Sequence, residues 1–530
     1  MTSDGTGVPP ASADARPGLT RQAIGGMAWT FSGTGVQVAV QFFAIMALGR
    51  LLTPAEFGLM AAANVIVGVS QIVSQVGVGP AIIQRQTLTP VHVRVAVTLS
   101  VAFGSLLGIL VYVQSPAIAA FYRIPALEPV LRAVAFMFPL NALNTVAMSV
   151  LTRQLRFRLY VMLDAGCYIL GYACVGVFLA WRGYGIWALV TASIAQLALR
   201  TVGMYLATRH PVRPSFDLQA ARDLVGFGFG HSMAQLGTLF SQQGDNIVVG
   251  RWLGPAALGV YGRAYGLMVM PAFAFGQIVN RVLFPIMAQV KNERHRLISA
   301  YERGVAVVAF ISLPISAFLW VVAPEFIPLV LGPAWGEVVL PFRLFSISLM
   351  FRMGSKISDA CIKAAGAVYA WAALQFAYAG LVVTGALVGQ RWGVSGVAVF
   401  VSLAMCSDWI LMVALGRRVT GLTWSRFAAA HASPAALTFV IGAGSILGAE
   451  AARSAHLGNV LILLCAGLVA AVAAIAAARL SPGIFLGQHG TWALGQVEAL
   501  LHRKFRRGTG GQLSEIEELA PLGEGSRVPE

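Results

Sequence analysis

Apolar residues run along this chain in fourteen blocks separated by short polar connections, at approximately 24–48, 57–79, 95–115, 130–151, 160–181, 184–207, 224–249, 257–282, 303–323, 338–365, 369–389, 392–416, 432–450 and 457–479. Crossing a bilayer takes about 20 apolar residues in a helix. Backbone groups inside hydrocarbon must be bonded within the structure, which leaves helices or closed barrels. These runs are continuous instead of alternating, so barrel strands are excluded. The pattern predicts an all-α polytopic membrane protein with about 14 transmembrane helices.

One stretch occurs twice. Gly49–Gly58 reads GRLLTPAEFG and Gly250–Gly259 reads GRWLGPAALG, identical at six of ten positions with an offset of 201 residues. Weaker echoes follow at an offset of 208, Pro125-Ala126 with Pro333-Ala334 and Gly185-Ile186 with Gly393-Val394. The offset contains six segments, an even number, so the chain returns to the same side of the membrane. That predicts two parallel six-helix repeats related by an axis along the membrane normal, forming a V-shaped two-lobed transporter, plus two C-terminal helices. The corresponding divisions are a disordered cytoplasmic tail (1–23), an N-lobe (24–208), a cytoplasmic loop (209–223), a C-lobe (224–417), the last two helices (430–479) and a cytoplasmic basic/acidic tail (480–530). A repeat serving only as scaffold is the alternative.

Charge fixes the expected orientation. Only 11% of the 530 residues are charged and 57% are hydrophobic, yet the net charge is +16. In a membrane protein such an excess reads as topology before nucleic-acid binding, because Arg and Lys collect in cytoplasmic loops. The connections after even-numbered segments carry Arg85 and Arg94; Arg153, Arg156 and Arg158; Arg209, Arg213 and Arg222; Lys291, Arg294 and Arg296; and Arg417, Arg418 and Arg426. Those after odd segments are nearly bare, and the ninth holds only Glu325 and Glu337. Both termini are therefore expected in the cytoplasm. The five cysteines lie in apolar runs with no C-x-x-C pair, so they read as packing residues and not as disulfides or metal ligands. No lysine follows a glycine, so no phosphate-binding P-loop exists. Trp492–Arg507 has an apolar face beside four cations, compatible with an interfacial helix on anionic lipid or with a solvated tail.

The polar residues inside the apolar blocks are the candidates for function. Thr30, Thr34, Gln37 and Gln41 share one face of the first segment. His231, Gln235, Thr238 and Gln242, continuing to Asp245, form the matching stripe of the seventh. Cavity lining is favoured over interhelical hydrogen bonding for both. In the tenth segment Arg352, Lys356, Asp359 and Lys363 share a face; intramembrane charges cost at least about 2.5–3.5 kcal/mol each at midplane and mark function by default. An anionic substrate complements Arg352 and Lys356, whereas Lys363 can snorkel and Asp359 can be a partner for Lys356. Arg263, Asp164 and Asp408 are the remaining deep charges, the two acids also readable as structural partners. Arg50 and Arg251, in the repeated stretch, are expected at the periplasmic rim as gate residues, with headgroup binding and helix C-terminal capping as alternatives.

Leu48–Arg85, with GYGIWALV (Gly183–Val190), GDNIVVGRWLG (Gly244–Gly254), LGVYGRAY (Leu258–Tyr265) and NRVLFPIMAQV (Asn280–Val290), resembles Wzx-type oligosaccharide flippases. These belong to the polysaccharide transporter branch of the multidrug/oligosaccharidyl-lipid/polysaccharide exporter superfamily, and the colanic-acid-type members are the most similar. The resemblance implies an alternating-access flippase carrying undecaprenyl-diphosphate-linked oligosaccharide for exopolysaccharide or lipopolysaccharide biosynthesis. It implies no catalytic residues, cofactor or metal, and as partners membrane lipid, a polysaccharide polymerase and a chain-length regulator, with no nucleic acid. Diphosphate would be met by cavity cations, best placed here at Arg263, Arg352 and Lys356. Two alternatives stand beside it. A polytopic polymerase or ligase would need catalytic groups in a sizeable external loop, and a cation-coupled multidrug exporter of the same fold would need a carboxylate-centred site.

Overall fold

The computed structural model describes residues 37–75, 78–84, 88–154, 156–211, 213–222, 241–279, 283–492 and 495. Among the described residues the regular structure is helical, with no strand. The first half contains α1 (Gln37–Leu51), α2 (Pro54–Gln75), α3 (Val78–Gln84), α4 (Pro90–Tyr122), α5 (Leu127–Ala135) and α6 (Met137–Arg153). It continues through α7 (Phe157–Cys167), a π-helical stretch (Tyr168–Cys174), α8 (Val175–Trp181) and α9 (Ile186–Thr208). The second half contains α10 (241–252), α11 (Gly254–Ile278), α12 (Phe284–Gln289), α13 (Arg294–Leu331), α14 (Val339–Ala364), α15 (Val368–Gly389) and α16 (Gly393–Thr420). Then come α17 (Trp424–Ser454), α18 (Asn459–Leu480) and the short α19 (Pro482–Phe485).

Each of the fourteen apolar blocks therefore contains helix. Among the described residues nine stretches are long and apolar enough to cross a membrane. One of them, Val368–Thr420, folds back on itself as the α15–α16 hairpin, with Gly389 against the Gly396 carbonyl at the bend and Gly385 against Phe400 further along. On α18 the exposed Leu461, Leu464, Leu468 and Val472 leave an apolar surface suited to lipid. The molecule is a multi-pass helical membrane protein.

One connection departs from the sequence reading. The ninth helix does not stop before Pro324 but runs on as α13 to Leu331, through Pro324 and Pro328. Proline has no N–H, so Pro324 leaves the Trp320 carbonyl without its helical donor; Arg343 Nε supplies one at 3.0 Å. Glu325, read as a loop residue, is instead buried in α13. Its carboxylate accepts two bonds from Arg453 of α17, at 2.8 and 3.0 Å. Toward the other end of the same pair of helices, Arg426 of α17 donates to Glu302 of α13 at 2.6 Å. The two ion pairs hold α17 parallel to α13, and α18 packs back on α17 where Gly444 meets Ala470 and Gly448 meets Ala466.

The repeated decapeptides are where the halves meet. Each begins at the end of one helix and turns into the next. In the first copy Thr53 and Glu56 form a capping box, Thr53 N–H donating to the Glu56 carboxylate at 2.7 Å and Glu56 N–H to Thr53 Oγ1 at 3.4 Å. The second copy has no such pair and turns instead through Gly254 at φ +87°, a conformation that side chains resist. Just beyond, Gly58 lies on the Pro255 carbonyl and Gly259 on the Pro54 carbonyl, neither with room for a β-carbon. The same exchange continues outward: Gly49 packs on Leu331 at the tip of α13, and Gly250 on Tyr122 at the tip of α4. Each copy thus contacts the opposite half.

Candidate functional site: the seam along α2 and α11

Within the second half, α10, α11, α14, α15 and α16 direct polar groups into one region. Tyr261 Oη donates to buried Asp245 at 2.5 Å, and Tyr261, Tyr265 and Phe345 pack ring against ring at 5.4–6.3 Å. Arg352 donates to Tyr378 Oη at 3.3 Å and has Tyr265, Asp408 and Asp245 as electrostatic neighbours. Ser355 Oγ donates to Asp408 at 3.0 Å. Asp359 pairs with Lys363 at 2.9 Å, not with Lys356, and Lys363 lies 4.1 Å from the Trp371 ring centroid. Lys356 is left with no hydrogen bond or ion pair among the described residues; its stem runs beside Gly276 of α11.

Arg263 is on the same α11 but meets the other half. Its guanidinium lies 4.4 Å from the centroid of Phe57 on α2, with Tyr168 and Tyr172 of the first half within electrostatic reach and no carboxylate partner among the described residues. Phe57 meets Trp335 edge-on at 5.4 Å, and Trp335 Nε1 donates to the Gly49 carbonyl at 2.7 Å. Thirteen residues separate Arg263 from Gly276, about 20 Å at 1.5 Å per residue. Arg263 and the Lys356 stem therefore stand well apart along α11, while Arg352, one turn before Lys356 on α14, lies within electrostatic reach of both Lys356 and Tyr265.

Arg50 and Arg251 lie at the decapeptide end. Arg50 Nη2 donates to the Leu329 carbonyl at 2.7 Å, so it caps the C-terminus of a helix in the opposite half. Arg251 stacks 5.4 Å from the Phe121 centroid, at the tip of α4. In the first half Gln37 donates to Asp164 at 2.9 Å, and Arg200 of α9 pairs with the other oxygen at 3.1 Å while reaching Tyr160 Oη at 3.4 Å. Arg200 is not among the sequence candidates, although the 208-residue offset places it opposite Asp408. Gln41 is half-buried and Gln242 exposed. Thr34, Gln235 and Thr238 lie outside the described residues, as does the chain after 495.

Residues 47–340 match the family model described as polysaccharide biosynthesis protein. The chain belongs to that family. Among its relatives are the teichuronic acid biosynthesis protein TuaB of Bacillus subtilis (strain 168), 28% identical over 64% of this chain and 70% of its own length, and the succinoglycan biosynthesis transport protein ExoT of Rhizobium meliloti (strain 1021), 26% identical over 60% and 65%. The lipopolysaccharide biosynthesis protein WzxC of Escherichia coli (strain K12) is 23% identical over 64% and 70%. The Wzx-type resemblance is thus borne out. Among solved structures the fold matches the lipid II flippase MurJ in an inward closed conformation (TM-score 0.68, 13% identity, 86% of this chain and 99% of that one). It also matches an inward-facing multidrug transporter of the MATE family (TM-score 0.57, 16% identity, 74% and 95%). In this member of the polysaccharide biosynthesis family, Arg263 is the seam cation that has no carboxylate partner among the described residues.

Proposed function

We propose that this protein is a flippase that moves undecaprenyl-diphosphate-linked oligosaccharide repeat units across the bacterial inner membrane by alternating access, supplying exopolysaccharide or lipopolysaccharide assembly. The observation that carries this reading is the set of cations along α11. Arg263 has no carboxylate partner among the described residues, Lys356 makes no hydrogen bond or ion pair there and has Asp359 and Asp408 only within electrostatic reach, and Arg352 has Asp245 and Asp408 as electrostatic neighbours. A charge inside a membrane without a partner is costly, and a diphosphate is the complement it lacks. Spacing over about 20 Å suits successive stations for one headgroup better than a single clamp. Guanidinium forks match phosphate oxygens two at a time, while lysine acts as a point charge.

With the arginine-rich connections in the cytoplasm, both termini are cytoplasmic and the decapeptide end is periplasmic. Arg50 and Arg251 then belong to a closed periplasmic gate, and Lys356 is the station nearest the cytoplasm. The halves act as lobes bounded near 24–208 and 224–417, with 430–479 appended to the second. Thr34, Gln37, Gln41, Gln235, Thr238, Gln242, Asp245 and Asp359 serve as polar lining or its support. A polysaccharide polymerase and a chain-length regulator are the expected partners downstream. Because Arg352 already has Asp245 and Asp408 as electrostatic neighbours, an organic cation would meet a site whose charge is largely taken, which disfavours the multidrug alternative.

Deleting the gene in its host tests the reading. Lipid-linked oligosaccharide should accumulate in the cytoplasmic leaflet with its glycan complete. A shortened glycan, meaning that sugar transfer and not movement has failed, would point to an enzyme instead.

A further inference from the structure

The span Arg158–Trp181 is α-helical at both ends but π-helical over Tyr168–Cys174. Such interruptions widen one turn and occur frequently at functional sites. Here the interruption has an identifiable consequence. Gly171 sits directly on the backbone of Gln196 in α9, too close for any side chain, which fixes one side of the stretch against α9. Tyr168 and Tyr172 leave from another side and stack on each other, centroids 5.1 Å apart and planes 23° from parallel. Both are half-buried, Tyr172 packs on the core that includes α2, and both phenols lie within electrostatic reach of Arg263.

Neither of two ordinary uses of a membrane tyrosine fits. Aromatic belts form at headgroup level, whereas these rings lie near the middle of the span. Lipid-facing positions of the same stretch are held by exposed Ile169 and Leu170 instead. Asp164, four residues before Tyr168, continues the same side of the helix with its carboxylate fixed by Arg200 and Gln37. A pair of flat rings, a fixed carboxylate and a neighbouring unpaired guanidinium make up a surface for a sugar bearing a phosphate. The C–H faces of a pyranose lie on the rings, its hydroxyls meet phenol and carboxylate oxygens, and the phosphate meets the guanidinium.

We propose that Tyr168 and Tyr172 form a saccharide platform that receives the first sugar of the lipid-linked glycan while Arg263 holds the adjoining diphosphate. The proposal rests on the flippase reading and assigns the sugar side of the site to the first half of the molecule, with Asp164 and Arg200 as positioning residues.

The full chain in lipid nanodiscs would be titrated with undecaprenyl diphosphate and with the same lipid bearing a single glucose or galactose. The intact protein should bind a sugar-bearing lipid about ten-fold more tightly than the bare one, a difference of about 1.4 kcal/mol. Y168A/Y172A should erase that preference and keep the affinity for bare lipid, Y168F/Y172F should keep the preference, and R263Q should weaken all the lipids together. Equal affinity of the intact protein for bare and sugar-bearing lipids, or a preference that survives in Y168A/Y172A, would overturn the platform. Binding of the bare lipid alone leaves the flippase reading standing without the platform; binding of none of them removes both.

Discussion

Gly58 rests on the backbone carbonyl of Pro255, with no space between them for even a methyl group. Its counterpart Gly259 makes the same contact with Pro54, so the repeated decapeptides are each other's principal partners across the seam. Small residues allow helix backbones to approach in a membrane, where the hydrophobic effect does not drive association. Replacing either glycine by alanine must push α2 and α11 apart, because a carbonyl in a helix cannot yield as a flexible side chain does. Overpacking of this kind costs about 1–3 kcal/mol. G58A and G259A should each lower the melting temperature of the purified protein and reduce glycan export; unchanged melting would show that the contact is dispensable.

Trp335 ties the same end together by a different bond. W335F keeps a ring against Phe57 but removes the donor to the Gly49 carbonyl. The expected loss is about 1 kcal/mol, the usual net value of such a bond. Cysteine labelling of Arg50→Cys from the periplasmic side should become faster in the W335F background. Equal labelling rates would mean that this bond does not hold the gate.

Arg263 should tolerate no simple replacement. R263Q removes the charge, and R263K keeps the charge but loses the planar fork and its stacking on Phe57. Both are expected to cut export at least about ten-fold, equivalent to 1.4 kcal/mol, with normal protein levels in the membrane. Full export in R263K would reduce the residue's role to that of a point charge.

The ion pair between Glu325 and Arg453 gives a stability prediction. R453M leaves a buried carboxylate without its partner, for which the expected penalty is about 3–5 kcal/mol. E325L/R453M removes both charges and should recover most of it, as read from thermal unfolding in detergent. A double variant no better than R453M would mean that the arginine acts through its other contacts, to Glu450 and the Val321 carbonyl.

Much of this architecture was legible in the sequence because its physical causes are local. Runs of about 20 apolar residues become helices whatever surrounds them, and the decapeptide repeat exposed the duplication. What stayed hidden depends on contacts between distant segments. Pro324 looks like a helix terminator until Arg343 is seen to satisfy the carbonyl it frees. Asp359 near Lys356 looks like a pair in the sequence, but its carboxylate pairs with Lys363, one turn further along. Arg200 lies on one helical face with Ser193 and Gln196, so the same spacing argument applied to the sixth segment, or the repeat offset to Asp408, could have drawn attention to it. The π-helical turn at Tyr168–Cys174 has no sequence signature beyond Gly171, whose tight contact lies on another helix.

The two ion pairs that join α17 to α13 have a mechanical consequence. Held at Glu302 and at Glu325, α17 cannot pivot on α13 without breaking one of them, and α18 follows α17. Rocking between the halves would therefore set a light arm against a heavy one broadened by an extra hairpin. Drag from the surrounding lipid would be greater on the broader body, so the first half, with α2 and the stacked tyrosines, would take the larger share of the movement.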